Sequence, residues 1–216
     1  MNKLRKSITD IKIDSKNLFV RVGCSNINEE SIFLDKLAEI LAAGAEVIQI
    51  EKNNLSDKDF LSLANKTKQL CAEFGATFIV KSRVDIAYLS EADGVNLEQE
   101  DIDIRLAREI LGENSIIGIV IYTQAQAVNS VKDGADYISM RISSTPTEPV
   151  IETGLEYAKW VSENTFLPVV VEGSIDIAFC QQLIDKNLSK LSVDNTILDT
   201  SSPHTVTVNL LEFLKK

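Results

Sequence analysis

Residues 76–101 read ATFIVKSRVDIAYLSEADGVNLEQED, two short apolar runs joined through one short helical pattern. Residues 76–80 predict a buried strand, 82–90 a polar turn with a short helix, and 93–97 a second buried strand. Apolar runs connected through a helix imply parallel neighbours, because parallel strands need a crossover. Charged and polar side chains gather directly after each run: Lys81 after the first, then Glu98, Gln99, Glu100 and Asp101 after the second. Loops at the carboxyl ends of parallel strands are where α/β proteins build their sites.

The same alternation fills the chain. Strand-like runs recur at 18–22, 45–50, 76–80, 93–97, 115–121, 135–140, 167–171 and 190–193. Helical patterns at 29–43, 57–74, 84–90, 102–111, 123–132, 152–164, 175–186 and 205–214 separate them. In the clearest, Phe60, Leu63, Ala64, Thr67, Cys71 and Phe74 share one face at the 3.6-residue period. Ser56 with Asp59 three residues on resembles a capping box. Gly44, Gly75, Gly112 and Gly134 each follow a helical pattern, where a left-handed cap favours glycine. Eight strands alternating with eight helices predict a single (β/α)8 TIM barrel over residues 1–216, with a short N-terminal lead-in packed across its bottom. The even spacing and the lack of a Gly-rich first turn rank the barrel above a doubly wound open sheet.

No linker breaks the 216 residues, and 44% hydrophobic with 25% charged content is globular. A net charge of -10 argues against a general nucleic-acid or anionic-membrane surface. The basic amino terminus has no apolar core of signal-peptide length and no run reaches a membrane span, so a cytoplasmic protein is expected. No oligomeric state can be assigned at this level. Cys24, Cys71 and Cys180 are scattered and odd in number. Cys71 reads as a small buried hydrophobe, and Cys24, following a strand, could face a site. The one histidine, His204, leads into the last helix, so the barrel mouth has no His-based acid or base.

Several blocks carry a family resemblance: Ala43-Gly44-Ala45-Glu46-Val47-Ile48-Gln49, Arg83-Val84-Asp85, Ala92-Asp93-Gly94-Val95 with Gln99-Glu100-Asp101, Gly134-Ala135-Asp136-Tyr137, and Leu167-Pro168-Val169-Val170 with Gly173. From about Ala42 to Gly173 the chain resembles the thiamine phosphate synthases and their relatives, the thiazole tautomerases. The resemblance implies a barrel and a reaction joining a pyrimidine pyrophosphate to a thiazole phosphate, with Mg2+ holding the departing pyrophosphate. Such chemistry needs cations around two anionic groups.

The chain departs from that pattern where the resemblance would place ligands. After strand two the family writes Gln-Leu-Arg-x-Lys, and this chain has Gln49-Ile50-Glu51-Lys52-Asn53. After strand three Asn-Asp-Arg-Val-Asp becomes Lys81-Ser82-Arg83-Val84-Asp85, so a metal-binding Asp becomes Ser82. Asn96 and Glu98 replace a His and a Gly, Val120 and Tyr122 a Ser and a His. The sixth loop opens with Arg141 in place of Gly and lacks its terminal Lys, and Glu172 precedes a reduced phosphate turn, Gly173-Ser174-Ile175.

The resemblance leaves Gln49, Thr147 and Gly173 as ligand contacts and Asp101 as one metal ligand. Arg141, and backbone N–H groups around Gly173 and Ser174 before a helix, are candidates for a small phosphorylated ligand. Lys81 is the catalytic candidate, an amine for Schiff-base or acid–base work, although a salt bridge to a neighbouring Glu outranks that reading. One carboxylate makes a poor Mg2+ site, and an N-cap role before Ile102 outranks ligation for Asp101. Glu51, Glu98, Asp101, Glu172 and Asp194 at the mouth oppose Lys81 and Arg141, an arrangement hostile to pyrophosphate, and the two cations are expected to pair with Glu51 or Glu172. Three readings follow: a diverged member with weak or no synthase activity, a working synthase that handles pyrophosphate through Lys81 and Arg141, and an enzyme of different chemistry built on Lys81 and the new carboxylates.

Overall fold

The computed structural model describes residues 13–142, 154–173 and 177–215. Eight parallel strands close into a barrel in sequence order: β1 (Leu18–Val22), β2 (Val47–Ile50), β3 (Thr77–Lys81), β4 (Gly94–Leu97), β5 (Ile116–Val120), β6 (Tyr137–Arg141), β7 (Val169–Glu172) and β8 (Leu191–Val193). One helix follows each strand: α1 (Glu30–Ala42), α2 (Asp57–Phe74), α3 (Val84–Leu89), α4 (Ile104–Leu111), α5 (Gln124–Asp133), α6 (Leu155–Thr165), α7 (Ile177–Asp185) and α8 (Pro203–Leu214). This is the expected (β/α)8 barrel, with boundaries shifted by a few residues.

Strand alternation makes two cores. Outward residues such as Phe78, Val80, Ile138 and Met140 pack under the helices, which contribute Leu37, Phe60, Leu63, Ala107 and Leu210. Inward residues Phe19, Val47, Ile79, Ile116, Tyr137 and Val170 form a separate floor inside the barrel, and Ile13 of the lead-in is buried against them. Residues 1–12 of the lead-in lie outside the described chain.

The lower rim repeats one device. The carboxylate one residue before β2, β4 and β6 accepts a backbone N–H at the start of the preceding strand: Glu46 from Leu18 (3.2 Å) and Asn17 (2.7 Å), Asp93 from Phe78 (2.8 Å), Asp136 from Ile117 (2.8 Å). Each satisfies a strand-end donor that would otherwise be buried unpaired. Before β8 the position carries Lys190, and its amine donates to the lead-in carbonyls of Ile13, Asp14 and Lys16 at 3.2, 2.5 and 3.0 Å. These bonds clasp the lead-in to the floor. Arg108, almost buried, pairs with Asp136 at 2.6 Å and ties α4 to β6.

Local signals agree with the fold in most places. Ser56 caps α2 by accepting from Asp59 N (3.1 Å), but the Asp59 carboxylate meets the Ser56 hydroxyl (2.6 Å), so the reciprocal half of the box is absent. A complete capping box stands at Thr123 and Gln126 before α5. Gly75 and Gly134 are left-handed caps, at φ 68° and 87°. Among the described residues no helix is long and apolar enough to cross a membrane.

Candidate functional site

The inward face of the strands turns polar above the floor. Asn96 on β4 donates from Nδ2 to Gln49 Oε1 (3.0 Å) and Ser139 Oγ (2.9 Å), and all three residues are buried. Gln49 Nε2 and Asn96 Oδ1 have no hydrogen-bond partner among the described residues.

At the carboxyl ends of the strands the side chains become charged and form a belt. Arg21 on β1 donates from Nη1 to Glu51 Oε2 (2.8 Å), and its Nε lies 3.6 Å from Glu172 Oε2. Arg141 donates from Nε to that same Glu172 oxygen (3.0 Å) and from Nη2 to Glu98 Oε1 (2.6 Å). Lys81 Nζ reaches Glu98 Oε1 at 2.5 Å, and the Tyr122 hydroxyl donates to Glu98 Oε2 at 2.9 Å. In order, the belt is Glu51, Arg21, Glu172, Arg141, Glu98 and Lys81, three carboxylates and three cations with no formal charge left over.

Glu98 is the node. Burial pushes its carboxyl up, but the Lys81 hydrogen bond and charge, the Arg141 charge and the Tyr122 hydroxyl outweigh burial and hold it below its ordinary value. Burial first, and then the Glu98 carboxylate, push the Tyr122 phenol up to about 12. Burial works against the Arg141 charge, but Glu172 and Glu98 overcome it and raise its pKa.

The structure brings Gln49, Lys81 and Arg141 to one end of one lumen. Lys81 pairs with Glu98 at the end of the neighbouring β4 rather than with Glu172 or with Glu51 at the end of β2, and Glu51 is held by Arg21 instead. Arg141 pairs with Glu172, as expected, and with Glu98 as well. Asp101 does not cap a helix at Ile102. The helix begins at Ile104, and Asp103 is its N-cap, accepting from Leu106 N at 2.9 Å. Asp101 Oδ2 instead accepts from Glu98 N (2.7 Å), fixing the turn that carries Glu98. The Gly173 N–H is engaged with Ser192 O at 3.0 Å and so is not free for a phosphate. A Cβ on Gly173 would lie 2.1 Å from the Phe179 ring, which gives this glycine a packing role. Thr147 and Ser174 lie outside the described residues. Cys24 is buried and donates to Asn26 O (3.1 Å); burial pushes its thiol up, away from a reactive thiolate.

The donors present do not fit a magnesium ion held by side chains. Ser82 contributes no carboxylate, and its φ of 62° closes a tight turn in which Arg83 N donates to Lys81 O at 2.7 Å. Asp101 is committed to the Glu98 amide, and no group of three or more His, Cys, Asp or Glu among the described residues could hold a metal.

Arg21 is the site residue that the sequence reading missed. Its signal was available: it is the one charge in the run Leu18–Val22, with the inward parity of Phe19. Asn195 is a second omission. It exchanges two hydrogen bonds with the Gly23 backbone (2.8 and 3.0 Å) and stitches the end of β8 to the end of β1 beside the belt.

A family model described as thiamine monophosphate synthase matches residues 20–197. The chain belongs to this family. The thiamine-phosphate synthase of Campylobacter jejuni serotype O:23/36 is 33% identical over 184 residues, 85% of this chain and 86% of that protein. The thiamine-phosphate synthase of Nostoc punctiforme is 32% identical over 185 residues, 85% of this chain, and the match spans only 53% of that relative's length. The solved thiamine phosphate pyrophosphorylase of Pyrococcus furiosus superposes with a TM-score of 0.80 at 27% identity, covering 99% of this chain and 98% of the other. Within this family, the belt is concentrated at the departures from the pattern. Glu51, Lys81, Glu98, Arg141 and Glu172 all stand at such positions, as does Tyr122, and each is bonded to another belt member.

Proposed function

We propose that this chain is a diverged thiamine phosphate synthase-like barrel with weak or no synthase activity, whose mouth fills its own anion sites. The belt carries this reading: each mouth cation is already held by a carboxylate of the same chain. An incoming pyrophosphate would have to take Lys81, Arg21 or Arg141 from its partner and then sit beside the released carboxylate. Two like charges a few ångströms apart cost on the order of a few kcal/mol at intermediate dielectric. A magnesium ion could offset that cost, but Ser82 stands where the resemblance implies one of the two carboxylates that would seat it. A small molecule that is neutral, or whose own charges cancel, matches a belt of balanced charge better than a phosphorylated one. Lys81 as an amine nucleophile is disfavoured, because its Nζ is held at 2.5 Å by the Glu98 oxygen that it shares with Arg141.

Coupling of hydroxymethylpyrimidine pyrophosphate to thiazole phosphate in the presence of magnesium is expected to stay at the uncatalysed background. Thiamine phosphate formed well above background, and abolished by Lys81→Ala, would overturn the reading in favour of a working synthase.

A further inference from the structure

We infer that the outer face of α3, α4 and α5 is the contact surface for a second copy of this chain. Ten large apolar side chains are exposed among the described residues, and seven of them fall on this one face. The centre is the stripe of Leu106 and Ile110, at the four-residue spacing that lines one side of α4 and 48 and 49% exposed, with Ile102, 41% exposed, in the turn just before the helix. The inward side of the same helix is already apolar, with Ile104 and Ala107 buried, so the stripe is additional to what the barrel needs. On α3, which packs against α4, Tyr88 is 61% and Leu89 58% exposed. On α5, packed on the other side, Val128 and Val131 are 46 and 44% exposed. The other three exposed apolar side chains, Ile32, Phe74 and Phe166, are scattered over α1 and the ends of α2 and α6.

Area and charge both point to a second copy as the occupant. The seven side chains leave on the order of 600 Å² of apolar surface in water, at the upper end for a monomer and near the roughly 800 Å² that each partner gives to a standard interface. A two-fold contact sets a patch against itself, so any net charge on it would be repelled. The chain as a whole carries -10, yet on the three helices the outward charges balance, Arg105, Lys132 and Arg83 at the head of α3 against Glu109, Asp133 and Asp85, with Arg83 paired to Asp85 at 2.6 Å and the exposed Asp103 engaged in capping α4. Arg105 and Asp133 also pair with each other at 2.6 Å, bridging α4 and α5 and leaving neither charge to confront its copy. A basic partner would be drawn to the acidic remainder of the surface and not to this neutral patch.

The test is the solution mass of the full chain by sedimentation over a concentration series, for wild type, Leu106→Glu/Ile110→Lys, and Phe166→Glu. The wild type and Phe166→Glu are expected at twice 23.9 kDa, and the double variant at 23.9 kDa with an unchanged circular dichroism spectrum. Should the double variant fail to fold, hydrogen exchange on the wild type replaces it, with protection of α4 expected to rise with protein concentration. A wild type monomeric at 100-fold dilution and at high concentration alike would overturn the proposal. So would a dimer that the double variant leaves intact, or exchange in α4 that is independent of concentration. This inference does not depend on the fate of the synthase reading.

Discussion

Glu98→Ala is expected to cost about 3 kcal/mol of folding stability, because removing one partner of a buried ion pair leaves the other charge without compensation. Lys81, with a side chain 10% exposed, loses its carboxylate, and Arg141, 44% exposed, loses one of two and keeps Glu172. The exposure of Arg141 keeps the loss in the lower part of the usual range, since water can screen a cation that reaches the surface. For a chain of this size the loss corresponds to a drop in Tm of roughly 6–12 °C. Its pH dependence identifies the cause. The folded-state pKa of Glu98 lies below the ordinary 4.5, so its contribution is full above pH 4.5 and fades as pH falls through the depressed folded value. The stability gap between wild type and Glu98→Ala should therefore be widest at neutral pH and close on acidification, measured by denaturant unfolding at pH 7 and pH 3. A variant as stable as the wild type at pH 7 would mean that the belt is a set of screened surface pairs.

Gly94→Ala is the second large effect, expected to exceed 3 kcal/mol or to abolish soluble protein. A Cβ there would lie 1.9 Å from Ile116 O and 2.7 Å from Ile116 C, backbone atoms of the neighbouring strand. Flexible side-chain ends can move aside, but a strand held by its own ladder cannot, and glycine inside a strand marks this kind of approach. Ile116 N also donates to Asp93 O at 2.9 Å, which locks the two strands at this distance. Gly75→Ala supplies the contrast. Nothing lies within 4 Å of a Cβ at Gly75, so its φ of 68° is the only penalty and the cost should be near 1 kcal/mol. Equal losses at the two positions in thermal unfolding would contradict the clash at Gly94.

The barrel was legible in the sequence because each strand and helix announces itself locally. Period-2 and period-3.6 patterns, caps at Ser56, Gly75 and Gly134, and the acid before β4 or β6 need no knowledge of distant residues. The family blocks gain a physical reason in the structure. Asp93 and Asp136 hold the second amide of the strand before them, and Gly94 gives β5 room. The site was legible only in pieces, because its bonds join residues far apart in the chain. Arg141 and Glu98 are 43 residues apart, and Arg21 and Glu51 are 30 apart. Read one at a time, Glu51, Glu98 and Tyr122 look like separate losses of ligand-binding groups. Counting charges after the strands then finds too much acid, because Arg21 lies within β1. Strand order supplies the rest: β1 beside β2 brings Arg21 to Glu51, and with Glu51 taken, β3 beside β4 leaves Lys81 to Glu98.

On the proposed reading, carboxylates of the chain occupy the mouth cations that an anionic ligand would need. The measurement that tests this most directly is a calorimetric titration of pyrophosphate with magnesium into the wild type and into Glu98→Ala. Without Glu98, Lys81 Nζ and the Nη2 of Arg141 become available to an external anion, while Arg141 Nε stays on Glu172. The account predicts no measurable binding to the wild type and saturable binding to the variant, weakened again when Lys81→Ala is added. Wild type that binds pyrophosphate as tightly as Glu98→Ala would contradict it.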